Sequence, residues 1–151
     1  MTVTIRPAVP ADYPQWRPLW DGYNRFYGRF DATALPEAVT AQTWSRFFDE
    51  AEPLYALVAE ENGEIVGIVH YHFYRSTTLL NDDCYLQDLF TDQSRRGKGI
   101  GRALIEAVYD RARGKGLARV FWHTHDSNAR AQVLYNDVAE RSGFIVYRKV
   151  F

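Results

Sequence analysis

Apolar residues recur along this chain with two different periods. Alternation of apolar and polar positions runs through VTIRPA (3 to 8), LYALVAE (54 to 60), IVGIVHYHFYR (65 to 75), CYLQDLFT (84 to 91), ARVFWHTH (118 to 125) and FIVYRKVF (144 to 151), and predicts a strand at each. Between the second and third, Asn62-Gly63 supplies the pair of positive φ angles that a tight hairpin turn requires. Helical spacing takes over at Ile100, Ala103, Leu104, Ala107 and Val108, one buried face of a helix that Gly114 and Gly116 bring to an end. Residues 128 to 141 predict a further helix, with Ala131, Leu134 and Val138 on one side. From Asp12, a candidate helix cap, to about Phe48 the chain reads as helix cut into short pieces by Pro14, Pro18, Gly22, Gly28 and Pro36. The order β, broken α, β, β, β, α, β, α, β is an α/β fold in which helices pack on a mixed sheet.

Length and composition add limits to this pattern. No repeat, low-complexity tract or linker divides the 151 residues, so a single domain over 1 to 151 is expected. Apolar residues at 46% and charged residues at 25% are ordinary soluble usage. A net charge of -1 provides no global attraction to nucleic acid or to an anionic membrane, so neither is an expected partner and any basic function must be local. Cys84 is the only cysteine, which excludes an internal disulfide framework and a cysteine-rich zinc site. With no signal-like N-terminus and no apolar run of about 18 residues, the expected setting is the cytoplasm.

The local basic feature is SRRGKGIGRALIEAV (94 to 108). Gly97, Gly99 and Gly101 stand where the long helix begins, and there the first amide N–H groups lack intrahelical partners and the peptide dipoles align. Missing side chains let a phosphate approach those amides, while Arg95, Arg96 and Lys98 add charge from the side. The glycine spacing is neither that of a P-loop nor the G-x-G-x-x-G dinucleotide fingerprint. A basic surface turn is the plain alternative.

RGKGIG (96 to 101) matches the Q/R-x-x-G-x-G/A signature of the GCN5-related N-acetyltransferases, and YLQDLFTDQSRRGKGIGRALI resembles their fourth strand and pyrophosphate-binding loop. NARAQVLYNDVAERSGFIVY resembles their final helix and strand, with an interval between Tyr135 and Gly143 similar to that of the Hpa2-like, polyamine-acetylating branch. The resemblance follows the element order of essentially the whole chain and is close over residues 85 to 147. It implies a mixed, mostly antiparallel sheet of six or seven strands, splayed between the fourth and fifth, with about four helices on its faces. It also implies acetyl-CoA as co-substrate, no metal, and a homodimer formed through the last strands, where Val150 and Phe151 look exposed.

Residue roles follow from the same resemblance. Backbone groups of Leu89, Phe90 and Thr91 pair with the pantetheine arm, an N–H near Leu89 polarises the thioester carbonyl, and the amides of Arg96, Gly97, Lys98, Gly99, Ile100 and Gly101 hold the pyrophosphate. Asn128 bonds the pantetheine arm, and Tyr135 stands by the sulfur, where a phenol of unperturbed pKa about 10 suits protonation of the leaving thiolate. Relatives carrying LED have LQD here, so Gln87 takes the place of a carboxylate and Asp88 is its acidic neighbour. Asp88, directly or through water, or one of His70, His72, His123 and His125 is the candidate base. A metal at either histidine pair lacks a carboxylate or cysteine partner at recognisable spacing. Cys84 has no dedicated base and reads as a small buried hydrophobe, which favours direct transfer over a covalent route.

The acceptor belongs to the first half. In LWDGYNRFYGRF (19 to 30), Tyr23, Phe26 and Tyr27 follow helical spacing, which also describes a core face. Tyr23 and Tyr27, with Asp21 and Asp88, suit a cationic amine: a small polyamine-like molecule first, an amine of a protein second. Two other functions stay open, a non-catalytic acyl-CoA sensor and a nucleic-acid binder using Arg95, Arg96, Lys98, Arg102 and Arg113.

Overall fold

The computed structural model describes residues 2–151. In chain order it comprises β1 (Thr4–Pro7), α1 (Tyr13–Phe26), α2 (Glu37–Arg46), β2 (Leu54–Glu61), β3 (Glu64–Tyr74), β4 (Asp83–Thr91), α3 (Ile100–Gly114), β5 (Val120–Phe121) and α4 (Ala129–Val138). The five strands form one sheet in sequence order. The first four pair antiparallel, whereas β5 runs parallel to β4, a pairing that needs a crossover and receives it from α3. The β2–β3 turn has φ of 52° at Asn62 and 79° at Gly63, as its sequence requires.

Alternation along the strands divides two cores. Val58, Ile65 and Ile68 face Trp16, Leu19, Trp20 and Tyr23 of α1, with Trp44 and Phe47 from α2 and its end packed beside them. Leu57, Ala59, Val66, Val69, Cys84 and Leu86 face Ile100, Leu104, Ile105 and Val108 of α3. Among the described residues no helix is long and apolar enough to cross a membrane.

Five expectations need correction. α1 is one continuous helix, not a series of fragments. Pro14 sits in the first turn, where its missing N–H costs nothing, and the single bond lost at Pro18 is outweighed by the buried aromatic stripe on either side of it. Asp12 precedes α1 without capping it, because its carboxylate accepts the Val9 N–H (2.8 Å) and pairs with Arg6 (2.8 Å). The segment 118 to 125 forms a strand only at Val120–Phe121, and α4 stops at Val138. Residues 144 to 151, expected as a last strand, are exposed and join no sheet, so the sheet has five strands where six or seven were expected. An alternating apolar sequence becomes a strand only beside a partner, and among the described residues nothing pairs with that segment.

Candidate active site

The glycine loop joins β4 to α3. Asp92 accepts the N–H (2.9 Å) and hydroxyl (2.8 Å) of Ser94, setting a short 3-10 turn at Gln93–Arg95 that reverses the chain. Gly97 and Gly99 then adopt φ of 80° and 82°, the left-handed region that side chains resist, and a Cβ at either would meet no atom within 4 Å. Glycine is thus demanded by the backbone itself, and the space above the loop is open. The first helical bond of α3 runs from the Ala103 N–H to the Gly99 carbonyl (3.0 Å). Among the described residues the N–H groups of residues 96 to 102 donate to no protein acceptor, an arrangement suited to an anion.

The charges around the loop are less available than the sequence suggests. Arg95 turns away and pairs with the buried Glu61 and with Glu64 (2.8 Å). Arg102 pairs with Asp137, and Arg113 lies 3.4 Å from Asp110. Arg96 donates from Nε to the Thr91 carbonyl (3.3 Å) and lies over the Phe90 ring. Lys98 is exposed and unpaired among the described residues. Three of the five cations that a nucleic-acid surface would use are therefore bound to carboxylates of this chain.

A split opens beside the loop. β4 and β5 pair only at Cys84↔Val120 and Tyr85↔Phe121, after which β4 continues along β3 through Val69↔Leu89, Ile68↔Phe90 and Gly67↔Thr91 with no strand on its other side. An extended ligand could pair with that edge. The register skips from His70↔Asp88 to Tyr71↔Leu86, so Gln87 is an extra residue, a β-bulge, and it is exposed. The bulge resets the alternation: Leu86 and Leu89 face the α3 core, while Asp88 and Phe90 face α1. α1 approaches closely because residue 22 is glycine; a Cβ there would come within 2.8 Å of the Phe90 ring. On the opposite wall, just past β5, Thr124 Oγ1 is buried without a hydrogen-bond partner.

Side chains of several elements meet at Asp88. Its Oδ2 lies 2.8 Å from His70 Nδ1, and His70 Nε2 accepts the indole N–H of Trp16 at 3.0 Å. Tyr23 stacks on Trp20 and donates its hydroxyl to the Gln87 carbonyl (3.5 Å). Burial, followed by the Asp88 charge, lifts the Tyr23 hydroxyl far above the ordinary phenol range and raises Tyr27 by the same causes. Arg29 is tethered by Asn24 Oδ1 (2.7 Å), with its guanidinium over Tyr23 and Tyr27 at 5.8 and 5.5 Å. His72 and Phe121 pack on Tyr85, whose hydroxyl is 3.3 Å from His123 Nδ1. Burial lowers the pKa of His72, with Gln87 and Asp88 acting against it. Asp21, expected beside these rings, instead pairs with Arg17 at 2.9 Å.

α4 closes the far side. Asn128 caps it by accepting the Ala131 N–H (3.5 Å), and Leu134 packs on Gly101 at the start of α3. Tyr135 packs edge-on to Trp122 (5.4 Å), and its hydroxyl is pushed up to about 12 by burial first and Tyr27 second.

The model of the acetyltransferase (GNAT) family matches residues 16–139. The chain belongs to that family. It is 33% identical over 149 residues to the D-amino-acid N-acetyltransferase HPA3 of Saccharomyces cerevisiae, spanning 97% of this chain and 90% of that protein. The thialysine N-epsilon-acetyltransferase of Bos taurus is 32% identical over 114 residues, 67% of this chain and 66% of the relative. The crystal structure of the ribosomal-protein-alanine N-acetyltransferase of Brucella melitensis has the same fold, with a TM-score of 0.82 at 20% identity over 100% of both chains. This GNAT protein is an acetyl-CoA-dependent N-acetyltransferase, and the sensor reading gives way to an enzyme.

In this acetyltransferase the candidate residues separate cleanly. Cys84 is fully buried and burial pushes its thiol up to about 12, so it lies behind the split as a small apolar group. Of the four histidines, His70 alone touches Asp88, His72 and His123 flank Tyr85, and His125 bonds Ser127 (2.7 Å) in an exposed turn. Among the described residues no three metal-ligating side chains converge. Sequence reasoning missed Trp16 and Arg29. Trp16 opens a 16, 19, 20, 23 stripe that helical periodicity could have found, whereas Arg29 carries no local signal.

Proposed function

We propose that this acetyltransferase transfers the acetyl group directly to the primary amine of an amino acid seated between Asp88 and Arg29. The observation that carries the reading is the pair of opposite charges on the α1 wall, one at the bulge and one over Tyr23 and Tyr27. An ammonium group fits Asp88 and the rings, and a carboxylate fits the planar guanidinium fork. HPA3 is an enzyme of D-amino acids and the bovine relative one of thialysine, which supports an amino-acid acceptor. A polyamine-like acceptor is the second reading. It keeps Asp88, but Asp21 is occupied by Arg17 and Arg29 repels a polycation. A protein amine has no feature of the α1 wall in its favour.

Acetyl-CoA supplies an acetyl group activated as a thioester. The unpaired amides of Arg96, Gly97, Lys98, Gly99, Ile100 and Gly101 hold its diphosphate, and Lys98 adds charge. The free edge of Leu89, Phe90 and Thr91 takes the pantetheine arm, which Asn128 and the orphaned Thr124 hydroxyl also bond. The Leu89 N–H donates to the carbonyl oxygen where charge grows. Asp88 draws the ammonium into the split and accepts its proton. Gln87 cannot accept one, and its part is the carbonyl that holds Tyr23. The acceptor nitrogen bonds the acetyl carbon as the C–S bond breaks, Tyr135 gives its hydroxyl proton to the departing sulfur, and the second proton shed by the new amide nitrogen restores the Tyr135 phenol.

The same reading extends to a homodimer. Phe144, Ile145, Tyr147, Val150 and Phe151 are exposed, and the outer edge of β5 has no neighbour. Two copies satisfy both the apolar segment and the open edge. The single buried thiol suits the reducing cytoplasm.

A thiol-release assay over D- and L-amino acids, thialysine, spermidine and an alanine-terminated peptide tests the acceptor. An amino acid should exceed spermidine by about tenfold or more in kcat/KM, a difference of about 1.4 kcal/mol. Arg29→Ala should erase that preference. Turnover confined to spermidine or to the peptide would sink the amino-acid reading.

A further inference from the structure

We infer that Trp16, acting through His70, keeps the full negative charge of Asp88 available to the acceptor amine. Trp16 and His70 are positioning residues, and the inference rests on the reading of Asp88 given above. An indole N–H can only donate. With Trp16 Nε1 3.0 Å from His70 Nε2, that nitrogen presents its lone pair, so the one ring proton sits on Nδ1, 2.8 Å from Asp88 Oδ2.

A histidine touching a carboxylate ordinarily gains by taking a second proton and becoming its ion-pair partner. Here the second proton has no place to go. Nε2 is covered by Trp16, and protonating it would set two N–H groups against each other in a site where Trp16 is 0% and His70 1% exposed. The other groups against His70 are the rings of Trp20 (5.4 Å) and Phe47 (4.7 Å), neither of which accepts a proton. Asp88 is the charged group facing it. Around Asp88 itself stand Tyr23 and Tyr27 from α1, His72 from β3 and Tyr85 from β4, with Arg29 above the two α1 tyrosines.

The electrostatic consequence is direct. An imidazolium at His70 would cancel the charge of Asp88 inside the protein and leave the split nothing to attract a cation with. A neutral Nδ1–H instead fixes the carboxylate through one oxygen and preserves the charge. Trp16 thus decides whether a buried carboxylate serves the fold or the substrate.

Nitrogen NMR of the imidazole, assigned with His70→Asn and read at about pH 6, tests the inference where an unperturbed histidine would be largely protonated. The parent should show a neutral ring with its proton on Nδ1, and Trp16→Phe should show imidazolium. With D-lysine as acceptor, Trp16→Phe should raise the acceptor KM about tenfold and lower kcat, since Asp88 is also the proposed base, while the acetyl-CoA KM stays within about twofold. The double variant Trp16→Phe/His70→Asn, which has no ring to protonate and keeps an N–H toward Asp88, should return KM to the parent value. A charged ring or an Nε2–H tautomer in the parent overturns the inference, as does a neutral ring in folded Trp16→Phe. Should Trp16→Phe not fold, His70→Asn decides: an unchanged KM supports the arrangement, and a fall of about tenfold, the sign of an imidazolium cancelling Asp88 in the parent, overturns it. If the parent does not acetylate D-lysine, the amino-acid reading fails, while the NMR result still judges the charge arrangement.

Discussion

The two halves of the split are made of different material. The half proposed for the cofactor is main chain: a row of unpaired amides, two glycines at positive φ and the free edge of β4. The half proposed for the acceptor is side chain: rings, an imidazole, a carboxylate and a guanidinium drawn from α1, β3, β4 and the turn after α1. A main-chain site tolerates exchange of most neighbouring side chains. A side-chain site changes its ligand with each substitution. The difference predicts that perturbations on one side should leave the binding constant of the other side's ligand nearly untouched.

The largest effect should come from the acceptor half. Asp88→Asn removes the group proposed to take the amine proton and should lower kcat/KM for the acceptor by about a thousandfold, within the range of general-base losses. Its KM for acetyl-CoA should move by less than about twofold. A comparable rise in both constants would show that the halves are coupled, and the comparison would break. Tyr135→Phe should follow, with kcat down about a hundredfold and coenzyme A affinity unchanged by calorimetry. Because burial raises the Tyr135 hydroxyl to about 12, the acid stays protonated through neutral and mildly alkaline pH. Parent activity should therefore show no loss assignable to Tyr135 below pH of about 11, and an alkaline limb near pH 9 that vanishes in Tyr135→Phe would contradict the role.

On the cofactor side the expected loss is smaller and purely in binding. Gly99→Ala forces a Cβ into φ of 82°, and although no atom lies within 4 Å of it, the strain of about 1–2 kcal/mol should weaken coenzyme A binding about tenfold. The acceptor KM should hold.

This division also explains what could be read in advance. Glycine announces backbone conformation locally, so the loop, α3 and the β2–β3 turn were legible from residues 62 to 63 and 94 to 108. The acceptor half was only partly so. Strict alternation from Leu86 would put Asp88 on the same face, and one bulged residue, Gln87, turns it to the other. Trp16 and His70 meet across 54 positions, and periodicity carries no information about such a meeting. Proline rules broke α1 because they weigh one lost hydrogen bond, not the four aromatic and aliphatic side chains that bury the helix. FIVYRKVF was read as a strand from its alternation alone, while pairing depends on a partner, and the segment lies exposed beside none although the outer edge of β5 is open.

The smallest effect should come from the point where the halves still touch. Cys84 pairs with Val120 at the base of the split, fully buried against α3, below both ligand surfaces. Its thiol is raised to about 12, so the stability tied to keeping it protonated is complete below the ordinary thiol range and is lost as pH rises toward about 12. At about pH 8 the folded protein should accordingly give no thiol reaction on the timescale of unfolding, since only the thiolate is nucleophilic. Cys84→Ala should cost about 1 kcal/mol through the small cavity it leaves, read as a shift in urea midpoint. Both KM values and kcat should be unchanged, because neither the free edge beyond Tyr85 nor the bulge at Gln87 is touched. If instead Cys84→Ala altered both constants together, the base of the split would be transmitting strain to each wall, and the two halves would have to be treated as one elastic unit.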